Sequence, residues 1–231
     1  MKNKRVPTFI SGFDDLIQGG LSERSVNLVI GGAGTGKTIF AIQFLVNGIK
    51  NLGETGVYIT FEERKDKLYS DMLSFGWDLE KYEKQGKFIF IQYNPEQVKK
   101  MLIEGGGVIE GIITKTKVKR LVIDSITSFA LLYKDALIRK EAALSLFELI
   151  NDWGCTAVLT AQHPSNGEIF STTLEFEVDS IIRFYNPKME GVRKRAFEII
   201  KMRGTKHPLK TMTMGITDNG IEFIPAKIIK C

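Results

Sequence analysis

Cysteine is nearly absent from this chain of 231 residues, which holds only Cys155 and Cys231. That scarcity excludes a disulfide framework and any zinc site built on paired cysteines, and a reducing, cytoplasmic setting is expected. Histidine is as scarce, with His163 and His207 isolated from any partner at metal-ligand spacing. No Ser-His-Asp or thiol arrangement stands out, which removes the common nucleophilic hydrolases. Six prolines are scattered, and no Pro/Ser-rich or low-complexity tract divides the chain. A single domain over residues 1–231 is expected, with 1–10 and 226–231 as terminal extensions. No apolar run approaches the ~18 residues that span a bilayer, and "MKNKRVPTF" lacks the apolar core of a signal peptide, so no membrane role is expected. Charge leans only mildly: 32 Lys and Arg against 27 Asp and Glu give +5, enough to suit an anionic ligand but too little for nucleic acid without a clustered patch.

What the chain does have is alternation. Short apolar runs, "SVNLVI" (25–30), "GVYITF" (56–61), "KFIFIQY" (87–93), "RLVID" (120–124) and "TAVLTAQ" (156–162), read as strands. Between them lie helical patterns: "GKTIFAIQFLVNGIKNLG", closing at Gly53; "RKDKLYSDMLSFGW"; a segment from "PEQVKKML" with Pro95 in its first turn; and "RKEAALSLFELINDWG" (139–154), stopping at Gly154. The glycines at 105–107 weaken the third of these. Strand, crossover helix and strand in repetition predict a mostly parallel twisted sheet flanked by helices. The last third differs, with "SIIRFY", "RAFEIIKMR", "LKTMTMGI" and "GIEFI" as successive strands and "TDNG" as a hairpin turn. Antiparallel C-terminal strands on one edge are expected.

"GGAGTGKT" matches G-x-x-x-x-G-K-[ST] at Gly31, Gly36, Lys37 and Thr38. Glycines allow backbone N–H groups to turn inward around phosphate oxygens, and the next helix points its N-terminus at them. Gly31, Gly32, Ala33, Gly34, Thr35, Gly36, Lys37, Thr38 and Ile39 are therefore the candidate phosphate-binding residues, with Lys37 on the β and γ phosphates and Thr38 on Mg²⁺. Asp124, ending an apolar strand, is the second candidate ligand of the Mg²⁺ shell. Adjacent carboxylates Glu62 and Glu63 end the second strand; as strand neighbours they point to opposite faces, so one of them can polarise an attacking water.

With "ISGFDDLIQGGLSERSVNLVIGGAGTGKTIFAIQFLVNGI", "YITFEE", "RLVIDSIT" and "KMRGTKHP…MGITDNGIEF", the chain resembles the KaiC family of RecA-like P-loop ATPases, in particular the single-domain archaeal KaiC-like proteins, from about residue 7 to 224. The resemblance implies ATP and Mg²⁺, a catalytic pair at Glu62 and Glu63, a metal-linked acid at Asp124, and a homohexameric ring. It implies that Lys201 and Arg203 of "KMRG" reach the neighbouring subunit's nucleotide, where an incoming cation neutralises charge on the γ-phosphate. From the residues alone that stretch reads as an exposed alternating strand. Gln162 matches a glutamine near the γ-phosphate, though a strand-end cap reads as well, and Asp218 matches a segment near the neighbour's adenine and ribose.

Three functions stay open at this point: an ATP hydrolase, a nucleotide-gated assembly module with an unnamed protein partner, and a DNA-dependent motor. Autophosphorylation at Ser171, Thr172 or Thr173 is disfavoured, because Glu175 and Phe176 fall where the acceptors belong. Nucleic acid is disfavoured by the segment 163–178, which carries Glu168, Glu175 and Glu177 and no Lys or Arg. The densest basic cluster, "VRKR" (192–195), reads as a solvated turn or sheet edge.

Overall fold

The computed structural model describes residues 4–133, 135–162 and 175–228. Strands are β1 (Arg5–Val6), β2 (Leu21–Ser22), β3 (Val26–Gly31), β4 (Gly56–Thr60), β5 (Phe88–Gln92), β6 (Arg120–Asp124), β7 (Thr156–Gln162), β8 (Ser180–Tyr185), β9 (Lys188–Met189), β10 (Val192–Arg193), β11 (Ala196–Met202), β12 (Met212–Thr217) and β13 (Gly220–Ile228). Helices are α1 (Lys37–Leu52), α2 (Lys65–Leu73), α3 (Leu79–Lys84), α4 (Pro95–Ile103), α5 (Gly107–Thr116), α6 (Ile126–Leu131) and α7 (Ala136–Trp153).

Nine strands form one sheet in the order β13-β12-β11-β8-β3-β7-β6-β4-β5. The pairs β8–β3, β3–β7, β7–β6, β6–β4 and β4–β5 are parallel, and β11, β12 and β13 continue antiparallel from the β8 side. The expected antiparallel edge thus begins one strand later than "SIIRFY", since β8 pairs in parallel with β3.

Both faces of the parallel strands are buried, which is why they read as near-continuous apolar runs. Period-2 alternation then sorts their side chains. Leu28, Ile30, Val57, Ile59, Leu121, Ile123 and Leu159 face one cluster with α4, α5, α6 and α7. Val29, Tyr58, Val122 and Val158 face the other, with α1, α2 and α3. Helix α1 runs through the centre, buried from Phe40 to Val46. A β1–β2 ribbon holds the first described residues, and Thr8 and Ile10 are buried.

The stretch after Asp124, to which the sequence patterns assign no helix, holds the short helix α6, and α7 starts at Ala136, three residues before 139, because Asp135 accepts from the N–H groups of Leu137 and Ile138. The three glycines at 105–107 end α4 and open α5: all have positive φ, and a Cβ on Gly106 would lie 3.0 Å from the Trp153 ring.

Candidate functional site

The carboxyl ends of the parallel strands carry the site. Register sets Thr60 beside Asp124, and Gly31 beside both Gln162 and Phe184. The loop from Gly31 turns into α1, whose first residue is Lys37. A Cβ on Gly31 would sit 2.7 Å from Thr35 Oγ1 and 2.8 Å from the Phe184 carbonyl oxygen, while Gly34 and Gly36 hold φ of 71° and 101°. No side chain caps the first turn of α1, so its N–H groups are left to a ligand or to water. Lys37 Nζ donates to the carbonyls of Gly31 (2.8 Å) and Gly32 (2.9 Å), and burial lowers the pKa of the amine below the usual lysine value against the opposing pull of Asp124. A cavity of about 320 Å³ opens here, lined by residues 34–39 with Arg195 and Ile216.

Asp124 is the hub. Its Oδ2 accepts from Thr38 Oγ1 (2.8 Å) and from the Tyr58 hydroxyl (2.9 Å), and its Oδ1 from Thr160 Oγ1 (2.5 Å). Alternation explains the convergence: residues 58, 122 and 158 face the α1 side, so 60, 124 and 160 do too. Burial and the charge of Asp124 push the Tyr58 phenol well above its ordinary value, so it remains a donor. Among the described residues no group of three or more His, Cys, Asp and Glu is placed to hold a metal alone. The Thr38 hydroxyl and the Asp124 carboxylate offer the oxygen donors of a hard cation that takes its remaining ligands from water or phosphate.

Glu62 and Glu63 lie beyond the strand and not on it, because β4 ends at Thr60. Thr60 Oγ1 accepts from the N–H groups of Glu62 (3.3 Å) and Glu63 (3.0 Å) and so fixes the turn that presents them. Glu62 accepts a close hydrogen bond from Ser128 Oγ of α6. Gln162 ends β7, exposed next to Gly31, with its N–H on Thr127 Oγ1 at 2.8 Å. Asp218 lies in the exposed β12–β13 turn. That turn is on this chain's own loop edge, since a Cβ on Gly36 would lie 3.1 Å from Ile216 and 3.3 Å from Ile221.

Lys201 and Arg203 are elsewhere. Phe197 pairs with Phe184 at the level of Gly31, and β11 then runs away to Met202, opposite Ser180. At about 3.4 Å per residue, Lys201, opposite Ile181, and Arg203, bonded to Asp179, lie roughly 10 and 17 Å along the strands from the level of Gly31. There Lys201 donates to the carbonyls of Glu175 (2.9 Å) and Phe176 (3.0 Å), and Arg203 to that of Phe176 (2.6 Å). Burial and the adjacent Arg203 lower the pKa of Lys201. Ser171, Thr172, Thr173, His163 and Glu168 lie outside the described residues.

Sequence reasoning missed Tyr58, Thr160, Ser128 and Arg195. The first two sat in strands already assigned, and strand order alone was needed to aim them at Asp124. Arg195 belonged to the basic cluster read as solvated; β11 brings its Nε to 3.4 Å from the Gly34 carbonyl.

This geometry, a glycine loop on a central parallel strand with an acid two strands away, is shared by known proteins. The family described as "ATPase: KaiC" matches residues 6–228. The chain belongs to the KaiC ATPase family. A UPF0273 protein of Pyrococcus furiosus is 35% identical over 98% of this chain and 96% of its own length. The circadian clock oscillator protein KaiC of Synechococcus elongatus is also 35% identical, over 96% of this chain but 44% of its own length. A solved structure of a KaiC-like protein from Pyrococcus horikoshii OT3 superposes with a TM-score of 0.86 at 38% identity, covering 96% of this chain and 100% of that one. Membership of the KaiC family makes this chain an ATP-binding RecA-like ATPase by descent, and the fold agrees. No helix among the described residues is long and apolar enough to cross a membrane.

Proposed function

We propose that this chain hydrolyses ATP with Mg²⁺ at the subunit interfaces of a cytoplasmic homohexameric ring. The observation that carries the proposal is the split of the machinery between two ends of one sheet. The loop, Thr38, Asp124 and the carboxylate pair gather at one end, and Lys201 and Arg203 stand at the other. The two cations cannot serve their own chain's nucleotide, and a second copy that abuts the loop edge brings them to it.

The roles follow from the side chains. Backbone N–H groups of residues 32–38 and the Lys37 amine hold phosphate oxygens, which draws Lys37 off the carbonyls of Gly31 and Gly32. Thr38 and Asp124 would hold Mg²⁺, which when bound neutralises charge on the β and γ phosphates. Tyr58 and Thr160 keep Asp124 aimed at Thr38. Glu62 or Glu63 orients water and takes its proton. Ile39, Gln162 and Asp218 belong to the nucleotide's surroundings, with Asp218 on the loop edge of its own chain. Lys201 and Arg203 of the neighbour offset the charge that builds on the γ-phosphate as its bond to the leaving oxygen breaks.

The test is Glu62→Gln combined with Glu63→Gln. Nucleotide binding is expected to persist, while turnover falls about 100-fold or more, the usual contribution of a general base. Unchanged turnover sinks the assignment. Ring assembly with negligible turnover in the unmodified protein would instead point to a nucleotide-gated assembly module.

A further inference from the structure

We propose that Ser128 is a positioning residue that aims the Glu62 carboxylate at the attacking water, an inference that rests on the hydrolysis proposed above. Glu62 sits in an exposed turn, and its backbone is fixed by Thr60, but its long side chain needs a second anchor to point one way. Ser128 supplies it. This serine lies in α6 at 8% exposure, and its hydroxyl donates to Glu62 Oε1. Its own oxygen lies 3.1 Å from Ser125 Oγ.

A serine hydroxyl has one proton. The Ser128 proton is committed to the carboxylate, so Ser125 must be the donor in the serine pair. The hydroxyls therefore run in one direction, from Ser125 through Ser128 to Glu62, and end on a group that only accepts. With Oε1 engaged, Oε2 keeps its lone pairs for water. Ser125 directly follows Asp124, so the chain of hydroxyls ties the base to the same turn that carries the hub acid. A group in the turn after β4 and a group at the end of β6 are thus held at one spacing. Misplacement of a catalytic group by about 1 Å can cost about 100-fold in rate, which gives such an anchor a kinetic consequence.

The test compares Ser128→Ala and Ser128→Thr in the unmodified protein and in a Glu62→Gln background, reading kcat and KM for ATP separately. Ser128→Ala is expected to lower kcat about tenfold or more, with KM held within about twofold. Ser128→Thr, which keeps the hydroxyl, is expected to restore the rate. On Glu62→Gln the alanine change is expected to add nothing, because the interaction it removes is already altered. Ser128→Cys replaces the alanine variant if that one does not fold. Wild-type kcat in Ser128→Ala overturns the inference, as does an equal loss in both backgrounds, which is what a merely structural serine gives. Wild-type turnover in Glu62→Gln with loss in Glu63→Gln also overturns it and leaves hydrolysis standing. Wild-type turnover in both overturns the hydrolysis reading itself.

Discussion

Asp124 accepts three hydroxyls, from Thr38 on α1, Tyr58 on β4 and Thr160 on β7. The acid itself was visible in the sequence as the end of "RLVID". Its partners were not, because nothing local to Tyr58 or Thr160 says which strand will lie beside β6. The same limit hid Arg195, whose place at the cavity depends on β11 passing the loop. The residues of the loop were legible because their chemistry is local: glycines, then a lysine and a threonine at the start of a helix. Cys155 is a case where composition sufficed. It directly precedes the apolar run "TAVLTAQ", where a free cysteine packs as a small buried hydrophobe, and burial pushes its pKa from 9.0 up to about 11. Below 9 the thiol is neutral in both states and its buried, protonated form contributes fully. Between 9 and about 11 the unfolded chain releases the proton and the fold keeps it, so stability falls across that window. Urea unfolding at pH 8 and pH 10.5 should therefore show the unmodified protein losing about 2 kcal/mol more than Cys155→Ala over that interval. Equal losses would mean that the thiol ionises normally in the fold.

Elements were the most legible scale. The β-branched runs of β6, β7 and β8 appear in the fold with the bounds read from the sequence, and Pro95 opens α4 with a capping box on Asn94 and Gln97. Helix α6 was hard to read because "ITSFAL" is short and begins with β-branched residues; Ser125 just before it accepts from the Ser128 N–H (3.4 Å), and burial of Ile126 and Phe129 holds it. Helix α1 shows how packing overrides propensity. Gly48 sits inside it, where alanine would ordinarily gain about 1 kcal/mol. Yet a Cβ at Gly48 would lie 2.2 Å from Arg120 Nε. Arg120 is fully buried and bonds Glu54 (2.6 Å), the Phe44 carbonyl (2.9 Å) and the Pro7 carbonyl (2.8 Å), so it has no room to yield. Gly48→Ala is accordingly expected to destabilise by about 1–3 kcal/mol, read as a lower urea midpoint at unchanged slope. A stabilised variant would show that Arg120 can move.

At the scale of the whole molecule, the proposal divides the machinery between the two ends of the sheet. One holds the loop, Asp124 and the carboxylate pair; the other holds Lys201 and Arg203 on the carbonyls of Glu175 and Phe176. The "KMRG" stretch looked like an ordinary polar strand until the resemblance to the KaiC family singled it out, and only the register of β11 against β8 shows how far it stands from its own loop. If the site is shared, turnover per subunit must rise with protein concentration as copies assemble. The most direct measurement mixes two inactive proteins, Lys37→Ala and Arg203→Ala. A shared site predicts that each is nearly silent alone and that mixing restores ATP hydrolysis, because some interfaces then join an intact loop to an intact Arg203. Full turnover of Arg203→Ala by itself, or silence of the mixture in mixed rings that form normally, would contradict the account.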